Sequence, residues 1–469
     1  MVIICYFNKM VGKLFGTTGI RGTVNDFLTP EFCSKIACVF GNYVREKFNA
    51  KNILVGMDPR TSSDMIKHAV ISGLLSAGCD VYDSGITPVP AIQCAVKEKI
   101  YKFDAGVMIT GSHIPIERNG LKFFIPDGNE VYGKIEDEIE DMYFSGKSER
   151  ASWNEIGKIY NADAGKIYKE MLLKEGIKVD KENALKIVVD TGHGAQSNIM
   201  PFVLREFGHK IVTLNAQMDG FFPGRPSEPD KKNLENLIKV VNALNADIGM
   251  AFDGDGDRSI FIDDKGEYIM GDMIGAIIAD SMMKEGDFVV TGISTSAIID
   301  YVAEKHNGTI IRTKVGAADV VGAIMKNNAV FGFEENGGSI FPNINLGREG
   351  GLTAVKILKI LHDKKKKMSE IIAEYPKFYQ IKEKIQCKDE LKNKLTSAIK
   401  EKIKEKYTGT KIDETDGIKI LFGDGWILFR PSWTEPIYRI FAEGKSESKA
   451  MELIEFGRKI ALLSLENLK

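Results

Sequence analysis

The 469-residue chain has few of the features that place a sequence quickly. Its first apolar run, Val2 to Phe7, is far too short to span a bilayer. No basic residues precede that run and no small-residue cleavage site follows it, so neither an anchor nor an export signal is expected. Cysteine is scarce, at positions 5, 33, 38, 79, 94 and 387, with no CxxC pair and no histidine cluster at zinc spacing. A structural zinc site is thereby excluded, and a reducing, cytoplasmic setting is the expectation. Charge of one sign is also lacking: 63 Lys and Arg against 65 Asp and Glu give −2, which offers no global attraction to nucleic acid or to an anionic membrane. No GxxxxGK[ST] string occurs, which argues against a P-loop ATPase. Gly192-His193-Gly194 opens a near GxGxxG, but Ser197 fills the last glycine position and Asn215 stands where an acid would follow, so nicotinamide binding is disfavoured. What the chain does have is ordinary globular composition, 43% hydrophobic and 27% charged. Its length suits about three domains, with two to four in range. Its 46 glycines, about 10% against a typical ~7%, point to functional loops.

Three segments share one local pattern, an apolar β-rich run that ends in a polar, glycine-bearing turn and leads into helix. They begin at Ile53, Ile187 and Phe288. Strands alternating with helices predict parallel or mixed sheets, here as three related α/β units. Beyond about residue 362 the texture changes. Lys364 to Lys367 reads as a solvated helix end, Lys388 to Lys406 as a charged helix, and Ile418–Phe422, Trp426–Phe429 and Tyr438–Ala442 as short strands, together a smaller α+β domain.

Five segments carry chemistry. In Asp253-Gly254-Asp255-Gly256-Asp257-Arg258, alternating carboxylates converge on one hard cation while the glycines allow a tight bend. Arg258 and Asp264 stand where an EF-hand needs Gly and Glu, so magnesium is expected instead of calcium sensing. Thr110-Gly111-Ser112-His113-Ile114-Pro115 follows the apolar run Ala105 to Ile109, which places Ser112 at a strand end. Neighbouring Ser and His side chains diverge on extended backbone and no GxSxG elbow surrounds Ser112, which argues against a hydrolase triad. Gly332-Phe333-Glu334-Glu335-Asn336-Gly337-Gly338 offers a carboxylate and an amide suited to vicinal hydroxyls. Arg430-Pro431-Ser432-Trp433-Thr434-Glu435-Pro436, with Arg439 beyond it, combines a guanidinium fork with hydroxyls and suits a phosphate dianion. Gly16 to Gly22 is a glycine-rich loop carrying Arg21, whose amides can cradle an anion.

In this order the five segments resemble the α-D-phosphohexomutase superfamily, most closely its archaeal phosphomannomutase/phosphoglucomutase type, over residues 12 to 465. The resemblance implies three related α/β domains with mixed sheets plus a C-terminal α+β domain, TATA-binding-protein-like, around a central cleft. The divisions expected are 12–152 with the phosphoserine loop, 153–263 with the metal loop, 264–370 with the sugar-recognition loop and 371–469 with the phosphate-binding loop. It further implies that Ser112 carries a phosphoryl group and that Asp253, Asp255 and Asp257 hold Mg2+ together with Ser112. Arg258 would contact the phosphoserine, and Lys122, in Asn119-Gly120-Leu121-Lys122, would shuttle protons with Arg21 adding positive charge. Glu334, Asn336 and Lys314 would read the sugar, while Arg430, Ser432, Thr434 and Arg439 would grip its phosphate. The implied reaction moves phosphate between C1 and C6 of a hexose phosphate through a hexose 1,6-bisphosphate, in a monomer or homodimer with no nucleic-acid or membrane partner. Phosphoglucosamine mutase, a metal-dependent phosphatase and a non-catalytic sugar-phosphate-binding protein are the alternatives. The sequence departs from the family pattern at Ile114, where Asn is usual, at Trp433, where Gly or Asn is common, at Gly338, where many bacterial members have His, and at Ala317 and Ala318, where charged residues are frequent.

Overall fold

The computed structural model describes residues 13–16, 18–406, 411–432 and 436–468. They build four sheets. In the first, the strands lie side by side as Ile20–Thr23, Arg118–Phe124, Ala105–Ile109, Asn52–Met57, Asp80–Ile86 and Ile159–Asn161. Asn52–Met57 runs parallel to both Asp80–Ile86 and Ala105–Ile109, and Ala105–Ile109 is antiparallel to Arg118–Phe124. The two central strands are buried on both faces, which is why they read as unbroken apolar runs instead of alternating ones. Helices close those faces. Pro30–Phe48, for example, starts on Thr29, whose hydroxyl accepts from Phe32 N, has Pro at its first position and stops at Asn49 in the left-handed region.

The same arrangement recurs twice. Lys186–Asp190 is parallel to Lys210–Leu214 and Ile248–Phe252, and the last of these reverses into Ser259–Ile262. Phe288–Gly292 is parallel to Thr309–Thr313 and Phe331–Phe333, which reverses into Ser339–Phe341. Each unit is thus a parallel trio whose third strand turns back on itself. The three reversals, residues 110–117, 253–258 and 334–338, contain the serine, aspartate and glutamate motifs at equivalent places. The expected divisions at 152/153 and 263/264 fall short of two strands: Ile159–Asn161 pairs with the first sheet and Tyr268–Ile269 with the second.

The fourth sheet is antiparallel, in the order Tyr379–Gln386, Ile437–Gly444, Gly425–Pro431, Ile418–Phe422, Lys411–Asp413. Tyr379–Gln386 and Lys411–Asp413 lie outside the three strands expected there. Helices Asp389–Lys406 and Glu447–Glu466 share one apolar core with Ile418, Ile420, Ile427, Phe429, Tyr438 and Ile440 of this sheet.

One continuous core joins the first three units, running from Val89–Phe103 through Ala164–Leu172 to Leu352–Leu361. The fourth unit has its own core and meets the third through a small cluster of Ile293, Trp426, Leu428 and Phe441. No helix among the described residues is long and apolar enough to cross a membrane.

Strand Ile20–Thr23, which carries Arg21, depends on Gly19. Its φ is +63°, and a Cβ there would lie 2.3 Å from Leu121 O of the neighbouring strand. Gly19→Ala is expected to lower stability by about 1–3 kcal/mol through the left-handed backbone alone, read as an earlier urea midpoint. An unchanged midpoint would contradict the pairing.

Candidate active site

Strand Ala105–Ile109 delivers Thr110, Gly111 and Ser112 to a turn fixed from the side by Asp58, which follows the neighbouring parallel strand. The Asp58 carboxylate accepts from Thr110 Oγ1 (2.8 Å), Gly111 N (3.0 Å), Ser63 Oγ (2.9 Å) and Arg60 N (3.0 Å). Arg60, paired with Asp58 at 3.2 Å, donates onward to the carbonyls of Ser112 and Ile114 through Nη2 and to those of Pro115 and Arg118 through Nη1. A buried ion pair with this many partners is a scaffold, because every polar atom withdrawn from water is answered. Ile114 takes part through its carbonyl, so replacement of the usual Asn leaves this bonding intact.

Held in this way, Ser112 is fully buried with φ +50°, a conformation a non-glycine residue keeps only when its surroundings impose it. That backbone overturns the argument from extended geometry. The Ser112 hydroxyl lies 3.2 Å from His113 Nδ1, and His113 Nε2 lies 3.7 Å from Glu228. Burial, then Arg258, Arg21 and Arg348, push the imidazole well below its usual range. On its other side the Ser112 hydroxyl donates to Asp253 Oδ2 at 3.0 Å.

Asp253 opens the second reversal. All three aspartates are buried, and a ligand oxygen from each falls within 4.8 Å of the others. Like charges packed this closely need cations, and three side chains supply them. Lys122 Nζ donates at 3.0 Å to both Asp255 Oδ2 and Asp257 Oδ2. Arg258 Nε donates to Asp253 Oδ2 at 3.1 Å while its terminal nitrogens pair with Glu228. Arg348 Nη2 donates to Asp257 Oδ2 at 2.6 Å. Burial raises the Asp253 carboxyl, reinforced by Asp255 and Asp257. At Asp257 burial acts the same way, but Arg348, Lys122 and Arg258 outweigh it and hold the carboxyl well below its usual range. Asp255 Oδ1 and Asp257 Oδ1 are sealed from solvent without a hydrogen-bond partner. Buried anionic oxygens without donors, clustered on one turn, fit a hard divalent cation. Arg21 stands beside this group, on the strand paired with the one carrying Lys122; its Nη2 is buried and has no partner. Burial pushes its guanidinium down against the pull of Asp255.

The third reversal brings Glu334, buried, to Arg348 Nη1 at 3.4 Å. Asn336, half-buried, accepts at Oδ1 from Gly338 N of its own turn at 3.2 Å. A second group lies where the third and fourth units meet. Asp416 Oδ2 accepts from Arg430 Nε at 2.5 Å and from Val315 N at 3.0 Å, tying the Arg430 strand to the loop that bears the exposed Lys314. Arg430 and Arg439 are cross-strand partners, and Ser432 is buried nearby with its N–H on Ile437 O. Thr434 and Trp433 lie outside the described residues.

Ser112, Lys122, Arg258 and the three aspartates therefore form one cluster. Arg21 borders it, Glu334 reaches it through Arg348, and Lys314, Arg430, Arg439 and Ser432 form a separate group at the boundary of the third and fourth units. Sequence reading missed Asp58, Arg60, Glu228, Arg348 and Asp416. Asp58 and Arg60 had a signal, since they follow the first of the three repeated strand ends. Arg348 and Asp416 had none in their local sequence.

Residues 12–150, 166–266 and 270–379 match phosphoglucomutase/phosphomannomutase alpha/beta/alpha domains I, II and III, and residues 384–459 match the C-terminal domain of the same family. The chain is 46% identical to a phosphoglucomutase/phosphomannomutase of Thermococcus kodakarensis, over 96% of this chain and 98% of that one. It is 38% identical to a probable phosphoglucosamine mutase of Methanopyrus kandleri, over 94% and 96%. In fold it is similar to a phosphoglucomutase/phosphomannomutase family protein of Burkholderia thailandensis, with TM-score 0.86 and 23% identity over 97% and 98%.

Arg60→Met leaves Asp58 charged, buried and unpaired, which costs about 3–5 kcal/mol. Amide hydrogen exchange is expected to accelerate most across residues 110–120, and protection equal to the parent protein's would show that the Arg60 bonds are not what holds the turn.

Proposed function

The chain belongs to the phosphoglucomutase/phosphomannomutase family, and on that premise we propose that it moves a phosphoryl group reversibly between C1 and C6 of mannose and glucose phosphates by way of Ser112. The observation that carries this reading is the Ser112 hydroxyl 3.0 Å from Asp253 Oδ2, inside a cluster of carboxylates and cations drawn from different domains.

Asp253, Asp255 and Asp257 would hold Mg2+ with Ser112, as the donor-free oxygens of Asp255 and Asp257 support. When bound, the ion supplies hard positive charge to the phosphoryl oxygens and to the serine oxygen as it leaves or attacks. The rest is the work of this chain's side chains. The phosphoserine P–Oγ bond breaks as a bond forms between phosphorus and the free sugar hydroxyl, giving a hexose 1,6-bisphosphate. Lys122 is the candidate proton shuttle: burial works against its charge, but Asp255 and Asp257 outweigh it and keep it protonated, so it can give a proton to Ser112 Oγ as the P–Oγ bond breaks and take the sugar hydroxyl's proton in exchange, while Arg258 and Arg21 face the charge that spreads over the transferring group. After the sugar turns end for end, the other phosphate returns to Ser112 Oγ and the proton goes back to the oxygen it leaves. Glu334 and Asn336 would engage hydroxyls, while Lys314, Arg430, Ser432, Thr434 and Arg439 would hold the phosphate that is not reacting. A guanidinium fork can grip that phosphate in either orientation of the ring.

The unpaired, buried cysteines 33, 38, 79, 94 and 387 support a cytoplasmic setting, and the near-neutral charge balance supports an enzyme without nucleic-acid or membrane partners; a monomer or homodimer is the accompanying proposal. Glucosamine phosphate is the second reading, favoured by the relatives named probable phosphoglucosamine mutase at 38–40% identity.

Incubation with radiolabelled glucose 1,6-bisphosphate is expected to label Ser112. Ser112→Ala should lose the label and at least about 10⁴-fold of the mutase rate; undiminished labelling would defeat the assignment. Comparable rates on mannose 1-phosphate and glucose 1-phosphate with feeble glucosamine turnover support the primary reading. The reverse pattern favours the second, and phosphate release without isomerised sugar indicates a phosphatase.

A further inference from the structure

Arg348 ends the strand Asn345–Arg348, and its side chain is only 7% exposed. Its two terminal nitrogens go to different places. Nη2 donates to Asp257 Oδ2 at 2.6 Å, in the aspartate turn of the second domain, and Nη1 reaches Glu334 Oε2 at 3.4 Å, in the third. Among the described residues no other side chain hydrogen-bonds both a member of the aspartate triad and Glu334. The path of the side chain is also prepared: a Cβ on Gly338 would lie 2.5 Å from Arg348 Cδ and 3.0 Å from Cγ, so the absence of a side chain at 338 makes room for the arginine.

The effect on Asp257 is geometric. Its Oδ2 accepts from both Lys122 and Arg348, which fixes the plane of the carboxylate and leaves Oδ1 without a donor. A planar guanidinium can span two carboxylates at set angles, whereas an ammonium is a point charge. Burial works against the charged arginine, but Asp257 and Glu334 outweigh it and keep it protonated.

We propose that Arg348 is a positioning residue that couples the state of Glu334, the expected sugar contact, to the presentation of Asp257 in the metal site. The inference rests on the reading of the triad as a magnesium site. Whatever draws Glu334 away from Arg348, or neutralises it, lets the guanidinium settle more firmly on Asp257 and compete with the cation. By linkage, metal and sugar then report on each other through this one side chain.

The test is a double-mutant cycle read by calorimetric titration with Mg2+ alone, without substrate or turnover. Glu334→Gln is expected to weaken Mg2+ binding by about threefold or more in the parent protein and to change it less than about twofold in an Arg348→Met background. Direct through-space attraction between Glu334 and the cation would persist in that background, so equal shifts in both would overturn the coupling. Arg348→Lys keeps the charge but cannot span both carboxylates, and is expected to abolish the shift likewise if the Met variant fails to fold; a shift that survives in Arg348→Lys also overturns the proposal. Should the parent protein itself fail to bind Mg2+, and Asp255→Asn make no difference, the metal-site reading falls and the coupling falls with it.

Discussion

Three aspartates that alternate along one turn, all withdrawn from water, are the constraint around which the molecule is arranged. Left alone they would repel one another strongly at low dielectric, and burial alone would drive protons onto them. The chain answers with Lys122 from the first domain, Arg258 from the second and Arg348 from the third, so neutralising one turn draws three domains together. It also brings the Ser112 hydroxyl to the edge of the group. The compensation is deliberately incomplete in one respect: two carboxylate oxygens have no donor, and that residual demand is what suits the site to a hard cation.

The convergence follows from repetition of one architecture. Each of the first three domains reverses its third parallel strand through a turn at the same end of its sheet, and the serine, aspartate and glutamate motifs sit in those turns. A shared apolar core fixes the three units together, so the turns face one cleft without needing loops of unusual length. The fourth domain is built differently. It has a separate core and a small apolar contact with the third, and Asp416 links its Arg430 to the Lys314 loop by a single carboxylate oxygen. The same boundary is also crossed by Lys419 Nζ on Ile293 O, Ala297 N on Glu443 and the Lys382–Glu335 pair, and on the proposed reading the fourth domain so placed holds the far phosphate of a substrate that must be accepted in two orientations.

Much of this was legible in the sequence because most of the clustered groups lie in contiguous strings. The aspartate turn, the serine turn and the glutamate turn each follow an apolar run, and both the three related α/β units and the smaller C-terminal unit could be read from that punctuation. What escaped is what tertiary contact creates. Arg348 is one charged residue between glycine and glutamate, and nothing nearby hints that it reaches into another domain. The left-handed backbone of Ser112 is imposed by Arg60 from fifty residues upstream, so the expectation that Ser112 and His113 diverge failed. Strand Tyr379–Gln386 hid behind its charges, because it is an edge strand whose lysines and glutamate face solvent or the neighbouring domain, as at Lys382 and Glu335.

The central claim is that the aspartate turn and Ser112 jointly bind one divalent cation. Crystals grown with Mn2+ in place of Mg2+ test it through anomalous scattering. A single strong peak is expected at about 2.0–2.3 Å from one oxygen each of Asp253, Asp255 and Asp257, and from the Ser112 oxygen or its phosphoryl group. A peak elsewhere, or one bound by the aspartates with Ser112 turned away from it, would show that the turn and the serine do not share a cation.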